Sequence, residues 1–171
     1  MRSAQREQRA VAWVRVPGAA DGPEIWLCDA SEAGLDEPGL RACARSRSGA
    51  ATARFSSRSY RLPYALVATH DQPVGVDIER VEPLDLQFLE SICTAEERAA
   101  LPDEVDSEYV TSLWCSKEGL SKALGDALRY DPRRLPSPIG WTDGRAGPWR
   151  AAALAVPEGH TGWACWRSIA G

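Results

Sequence analysis

Histidine, lysine and methionine are nearly missing from this 171-residue chain, which has two, two and one of them. With only His70 and His160 available, a histidine-rich metal site is excluded, and no local motif supports a Ser-His-Asp triad. Cysteine is present, but Cys28, Cys43, Cys93, Cys115 and Cys165 are odd in number and never fall in CxxC spacing. That argues against a disulfide framework or a zinc site and leaves buried or idle thiols. No uninterrupted apolar run could span a membrane, and no apolar core of signal-peptide length follows the polar start at Met1 to Gln8, so the expected setting is the cytoplasm. Repeats and low-complexity linkers are also missing. What remains, 44% hydrophobic and 26% charged, is the composition of an ordinary globular domain or of two small lobes sharing a core.

The scarcity of lysine carries information because arginine is not scarce. Lys117 and Lys122 stand in one segment, five positions apart, beside 18 arginines in the whole chain. A chain that uses arginine wherever a positive charge suffices would keep lysine where a compact ammonium is wanted instead of a planar fork, although chance placement gives the same pattern. Trp114, Glu118 and Lys122 recur every fourth residue, so they line one stripe of a helix that Gly125 can cap. About 35 residues upstream, Pro73-Val74-Gly75-Val76-Asp77-Ile78-Glu79 is an apolar strand broken by two acids. Alternation along a strand points Asp77 and Glu79 the same way, with Cα atoms roughly 6.6 Å apart. Two plainer readings are a solvated strand edge and an ordinary Glu-to-Lys surface pair.

Taken together, Gly75-Val76-Asp77-Ile78-Glu79 and Trp114, Lys117, Glu118, Lys122 resemble the paired signatures of the 4′-phosphopantetheinyl transferase superfamily of the Sfp type. Every signature position is filled, and the likeness is close from about Tyr64 to Gly125. Thr94 and Glu97 between the signatures form a capping box that starts a short helix independently of any resemblance. The resemblance implies transfer of the phosphopantetheine arm of coenzyme A to a serine of an acyl or peptidyl carrier protein, with release of adenosine 3′,5′-bisphosphate. It implies Mg²⁺ held by Asp77, Glu79 and Glu118, Lys122 on the diphosphate, and either Glu118 or a metal-bound water taking the serine proton. Trp114 is then a core anchor, and Lys117 lies on or beside the site. Polyketide or nonribosomal peptide carriers are the expected class of partner, with no nucleic acid, no membrane and a monomeric enzyme.

Acidic residues are absent from one long stretch. Between Pro38 and His70 there are six arginines, Arg41, Arg45, Arg47, Arg54, Arg58 and Arg61, and no acid, so a tract of +6 sits in a chain of net charge −4 and the remainder carries −10. Such a tract suits either a solvated basic loop or a landing surface for coenzyme A phosphates and acidic carrier helices, with Arg41, Arg45 and Arg54 as candidates. Ser59-Tyr60-Arg61 aligns with a Ser-His-Ser turn that helps hold coenzyme A in many family members. Tyr60 keeps a hydroxyl but cannot become cationic near neutral pH, whereas Arg61 restores charge. The N-terminal part is short for the family and has no clear Gly-x-Pro segment. A catalytically weak homologue acting as an accessory subunit and a magnesium phosphohydrolase are the competing functions.

Periodicity and turn residues predict strands over Ala10 to Val16, Glu24 to Cys28, Tyr64 to Thr69, Val74 to Ile78, Pro138 to Trp141, Trp149 to Leu154 and Gly162 to Ser168. Helices are predicted over Glu37 to Arg47, Pro83 to Ile92, Thr94 to Ala100 and Asp106 to Leu124. Tyr64 to Thr69 and Val74 to Ile78 read as a hairpin. Trp141, Trp149, Trp163 and Trp166 read as packing residues rather than a base-stacking platform. The order of elements makes an α+β fold with antiparallel sheets packed against helices. The family fold agrees, as two pseudosymmetric α/β lobes, 1–73 and a metal-bearing 74–171, with coenzyme A at their junction.

Overall fold

The computed structural model describes residues 11–19, 21–83, 85–127 and 129–168. Its architecture is α+β. One antiparallel sheet contains β1 (Ala12–Val16), β2 (Glu24–Asp29), β3 (Phe55–Arg61) and β4 (Tyr64–His70) in the order β1-β2-β4-β3. A second contains β5 (Val74–Arg80), β6 (Arg145–Ala146), β7 (Trp149–Ala153) and β8 (His160–Arg167) in the order β5-β8-β7-β6. Helices α1 (Glu37–Gly49) and α4 (Ser107–Leu124) cover the sheets, and short α2 (Leu86–Ile92) and α3 (Ala95–Ala99) lead into α4.

Strand alternation sorts the side chains into layers. Cys28, Ala65 and Val67 pack against Leu40 and Ala44 of α1, while their neighbours Leu27, Leu66 and Ala68 face Val76, Ile78, Ala164 and Trp166 of the second sheet. Cys165 and Ala151, on the far face of that sheet, meet Leu120 and Ala123 of α4. The cysteines are free, four of the five are buried, and burial pushes the Cys28 thiol up to about 11, as expected of idle thiols.

Local signals explain the helix ends. Asp36, Thr94 and Asp106 cap α1, α3 and α4 by accepting from the amides of Gly39, Glu97 and Tyr109. The Thr94–Glu97 capping box forms as its sequence predicts. α4 ends at Gly125, whose φ of 82° is the left-handed conformation that glycine tolerates. No helix among the described residues is long and apolar enough to cross a membrane.

Four expectations are corrected. β4 and β5 are not a hairpin: β4 pairs with β2 and β3, β5 pairs with β8, and the turn after His70 carries the chain from one sheet to the other. Ser59, Tyr60 and Arg61 lie in β3 rather than in a turn, because Ser59, Tyr60 and Arg61 pair in register with Leu66, Ala65 and Tyr64. Residues Pro138–Gly140 form a 3-10 turn in place of a strand, with Pro138 at its start and the Ser137 hydroxyl accepting from Ile139 N–H. The second predicted helix begins at Leu86 behind the Asp85 cap instead of at Pro83. Ala10 and Leu84, within two of the predicted elements, lie outside the described residues.

Candidate active site

Besides their shared core, the two sheets meet where β3 and β5, each an edge strand of its own sheet, come into contact, and the candidate site is built on that seam. β3 and β5 are the facing edges, yet serine hydroxyls replace a backbone ladder between them. Ser57 Oγ accepts from Val76 N–H at 3.1 Å and Ser59 Oγ from Ile78 N–H at 3.2 Å. Both serines are buried. An edge amide left bare here would cost about 1–3 kcal/mol, so the hydroxyls satisfy the strand while leaving side chains of the seam available.

Gly75 then lets α4 come close. A Cβ at Gly75 would lie 2.0 Å from the Gly119 carbonyl oxygen, an impossible contact, so only glycine permits the helix to rest on this strand. Asp77 and Glu79 share the face of Gly75 and therefore meet α4 as alternation predicts. Asp77 is 3% exposed; its Oδ1 accepts from Lys122 Nζ at 2.6 Å and from Ser59 Oγ at 2.8 Å. Lys122 Nζ also donates to the Val76 carbonyl at 3.1 Å. Asp77 Oδ2 is buried and has no hydrogen-bond partner. An orphaned carboxylate oxygen is costly and marks a position that a ligand can complete.

Glu79 is held by the Arg61 guanidinium, through Nε at 2.5 Å and a second ion pair through Nη2, and by Trp114 Nε1 at 3.3 Å. Burial holds its carboxyl above the usual range, Asp77 adds to the rise, and Arg61 and Trp114 offset part of it. Glu118 accepts a short hydrogen bond from the Tyr130 hydroxyl. Burial raises the Glu118 pKa as well, with Tyr130 and Lys122 working against burial and Asp77 with it. Among the described residues no three acidic, cysteine or histidine side chains are already gathered into a metal-holding group. Each of the three acids is instead tied to a donor of its own.

Two grooves open from the seam. One, of about 520 Å³, is lined by Arg41 and Arg45 of α1, Arg58 and Tyr60 of β3, and Lys122 and Gly125 at the end of α4. The Arg41 guanidinium sits 4.6 Å above the Tyr60 ring and pairs with Glu37, and Arg58 donates to Ser48 Oγ at 2.8 Å. The other, of about 420 Å³, runs past Arg61 and Glu79 over Phe88, Val110 and Trp114. Arg54 lies at the opposite end of β3 from Arg61, over the Phe55 ring, and does not line the basic groove.

Lys117 differs from expectation, and Trp114 does more than expected. Lys117 is fully buried on another side of α4, donating to the Ile92 carbonyl at 2.6 Å, the Pro132 carbonyl at 2.8 Å and Glu97 Oε2 at 2.5 Å, so it is a structural pillar away from the seam. Five residues turn a helix by roughly 140° from one lysine to the other, which separates the two. Trp114, expected as a core anchor, packs against the cluster of Leu89, Ile92, Val110 and Leu113; it is half-buried, and also donates to Glu79 and floors the second groove. Sequence reasoning missed Ser57 and Tyr130, and nothing in their spacing marks them.

The seam thus sets a strand bearing two acids, Asp77 and Glu79, beneath a helix bearing Glu118 and Lys122. Residues 73–163 match the 4′-phosphopantetheinyl transferase superfamily, and the chain belongs to it. It is 38% identical over 66 residues to 4′-phosphopantetheinyl transferase psf-1 of Bacillus pumilus. The match covers 37% of this chain and 28% of the Bacillus protein, so the chain spans well under two thirds of that relative.

Proposed function

We propose that the chain transfers the 4′-phosphopantetheine arm of coenzyme A to a carrier-protein serine. The observation that carries this reading is the buried, unpartnered Asp77 Oδ2 beside Lys122, where the basic groove reaches the seam. The Arg41 and Arg45 guanidiniums and the Tyr60 hydroxyl receive coenzyme A phosphates along that groove. Lys122 neutralises the diphosphate oxygens, and Ser59 fixes Asp77 from below. Arg61 acts on Glu79 instead of lying in the basic groove. On this reading the lobes divide at residue 73, and the enzyme works as a cytoplasmic monomer on polyketide or nonribosomal peptide carriers.

The donor chemistry fits magnesium, since Asp77, Glu79 and Glu118 are hard oxygen ligands and one buried oxygen is still open. Those three residues would hold the ion, with Arg61 having to release Glu79 for it to join. Bound there, Mg²⁺ would neutralise phosphate charge. Glu118, with its pKa raised by burial, accepts the serine hydroxyl proton. The serine oxygen bonds to the phosphorus on the pantetheine side, the bridging P–O bond breaks, and adenosine 3′,5′-bisphosphate leaves.

Incubating the full chain with an apo carrier protein, coenzyme A and Mg²⁺ tests this by mass. A carrier gain of one phosphopantetheine group, lost in Asp77→Ala, is expected. Bisphosphate release without carrier modification would select a phosphohydrolase, and no change in either would select a binding or accessory role.

A further inference from the structure

The segment after α4 is fastened to that helix twice, by neighbouring residues. Lys117 Nζ binds the Pro132 carbonyl, and Glu118 Oε1 accepts from the Tyr130 hydroxyl. The reversal is fixed by its own backbone: Asp126 N–H reaches the Ser121 carbonyl at 2.9 Å and Tyr130 N–H the Asp126 carbonyl at 3.2 Å. The Tyr130 ring is also set, stacked near-parallel on Trp114 with centroids 6.5 Å apart. In this contact the Tyr130 hydroxyl is the donor and the Glu118 carboxylate the acceptor.

We infer that Tyr130 is a positioning residue for Glu118, a role that rests on the transferase reading above. By engaging Oε1 it fixes the carboxylate plane and leaves Oε2 to serve the seam. A free glutamate on a half-buried helix face samples several rotamers, and only one of them presents an oxygen to the seam. Holding it in advance removes that search from the reaction. The hydroxyl, rather than the ring, is what does this, because the ring already has Trp114.

Tyr130→Phe keeps the ring and removes only the donor. Its kcat for carrier modification should fall about tenfold, the scale of one hydrogen bond to a charged group, while the KM for coenzyme A stays within about twofold. A packing role would move neither in this pattern. Proton NMR of the wild-type protein, with labelled tyrosine rings for assignment, should show a downfield hydroxyl proton on Tyr130, a reading that needs no variant to fold. Absence of that proton overturns the inference, as does a folded phenylalanine variant with undiminished kcat. A wild type that shows the proton yet modifies no carrier overturns the transferase reading and this role with it.

Discussion

α4 organises two polar clusters on different sides, and they are finished differently. Around Lys117 every strong group is used: the ammonium has three acceptors, Glu97 Oε2 also takes Thr94 N–H, and Glu97 Oε1 takes Ser137 N–H at 2.6 Å. Around Lys122 the bonding is incomplete, with Asp77 Oδ2 orphaned, the lysine 21% exposed and grooves on either side. Closed valence holds a fold together, whereas open valence leaves a place for a ligand. The same residue type at two positions of one helix thus does two jobs, and the surroundings distinguish them.

The largest effect should come from breaking the closed cluster. Lys117→Ala strands the part-buried Glu97 carboxylate and two carbonyls around a fully buried site, and removing one partner of a buried pair costs up to about 3–5 kcal/mol. Denaturant titration should show that loss, large enough to leave the chain partly unfolded. An effect below about 1 kcal/mol would mean that the cluster is not the pillar described here. Lys122 should behave in the opposite way, with a folded protein and failed chemistry. Lys122→Arg keeps the charge, but a wide planar guanidinium does not fit between the Val76 carbonyl and Asp77. Its kcat should drop roughly a hundred- to a thousandfold, about 2.7–4 kcal/mol, with circular dichroism unchanged. Near wild-type turnover would make the ammonium replaceable and erase the contrast.

Much of this was legible because the signals were local. The Asp77–Glu79 alternation, the Trp114–Glu118–Lys122 stripe, the Thr94–Glu97 box and the Gly125 cap each depend on spacing within a few residues. The misses depend on distant partners. β3 is a run of arginine and serine without an apolar period, and it is a strand because β4 pairs with it and its serines serve β5. The mistaken hairpin follows from that, since the edge of β4 was already taken. Lys117 was placed near the site by signature position, although helical geometry turns it away. Tyr130 reaches Glu118 only after the chain reverses at Gly125.

The smallest effect sharpens the comparison through pH. Burial lifts the Glu118 carboxyl above its ordinary value of 4.5 despite Tyr130 and Lys122. An acid whose pKa rises on folding binds its proton more tightly in the native state, so its contribution to stability is fully present below 4.5 and is lost as pH rises through the raised value. Near neutral pH its charge is therefore a burden on the fold. Glu118→Gln removes that charge and keeps a carbonyl oxygen for the Tyr130 hydroxyl. The variant should melt slightly above wild type near neutral pH, and the gap should close as the pH is lowered toward 4.5. Thermal melts across that range check the sign. A variant that melts lower near neutral pH would mean that Lys122 and Tyr130 stabilise the charge by more than burial costs it, and the seam would then be as complete as the cluster around Lys117.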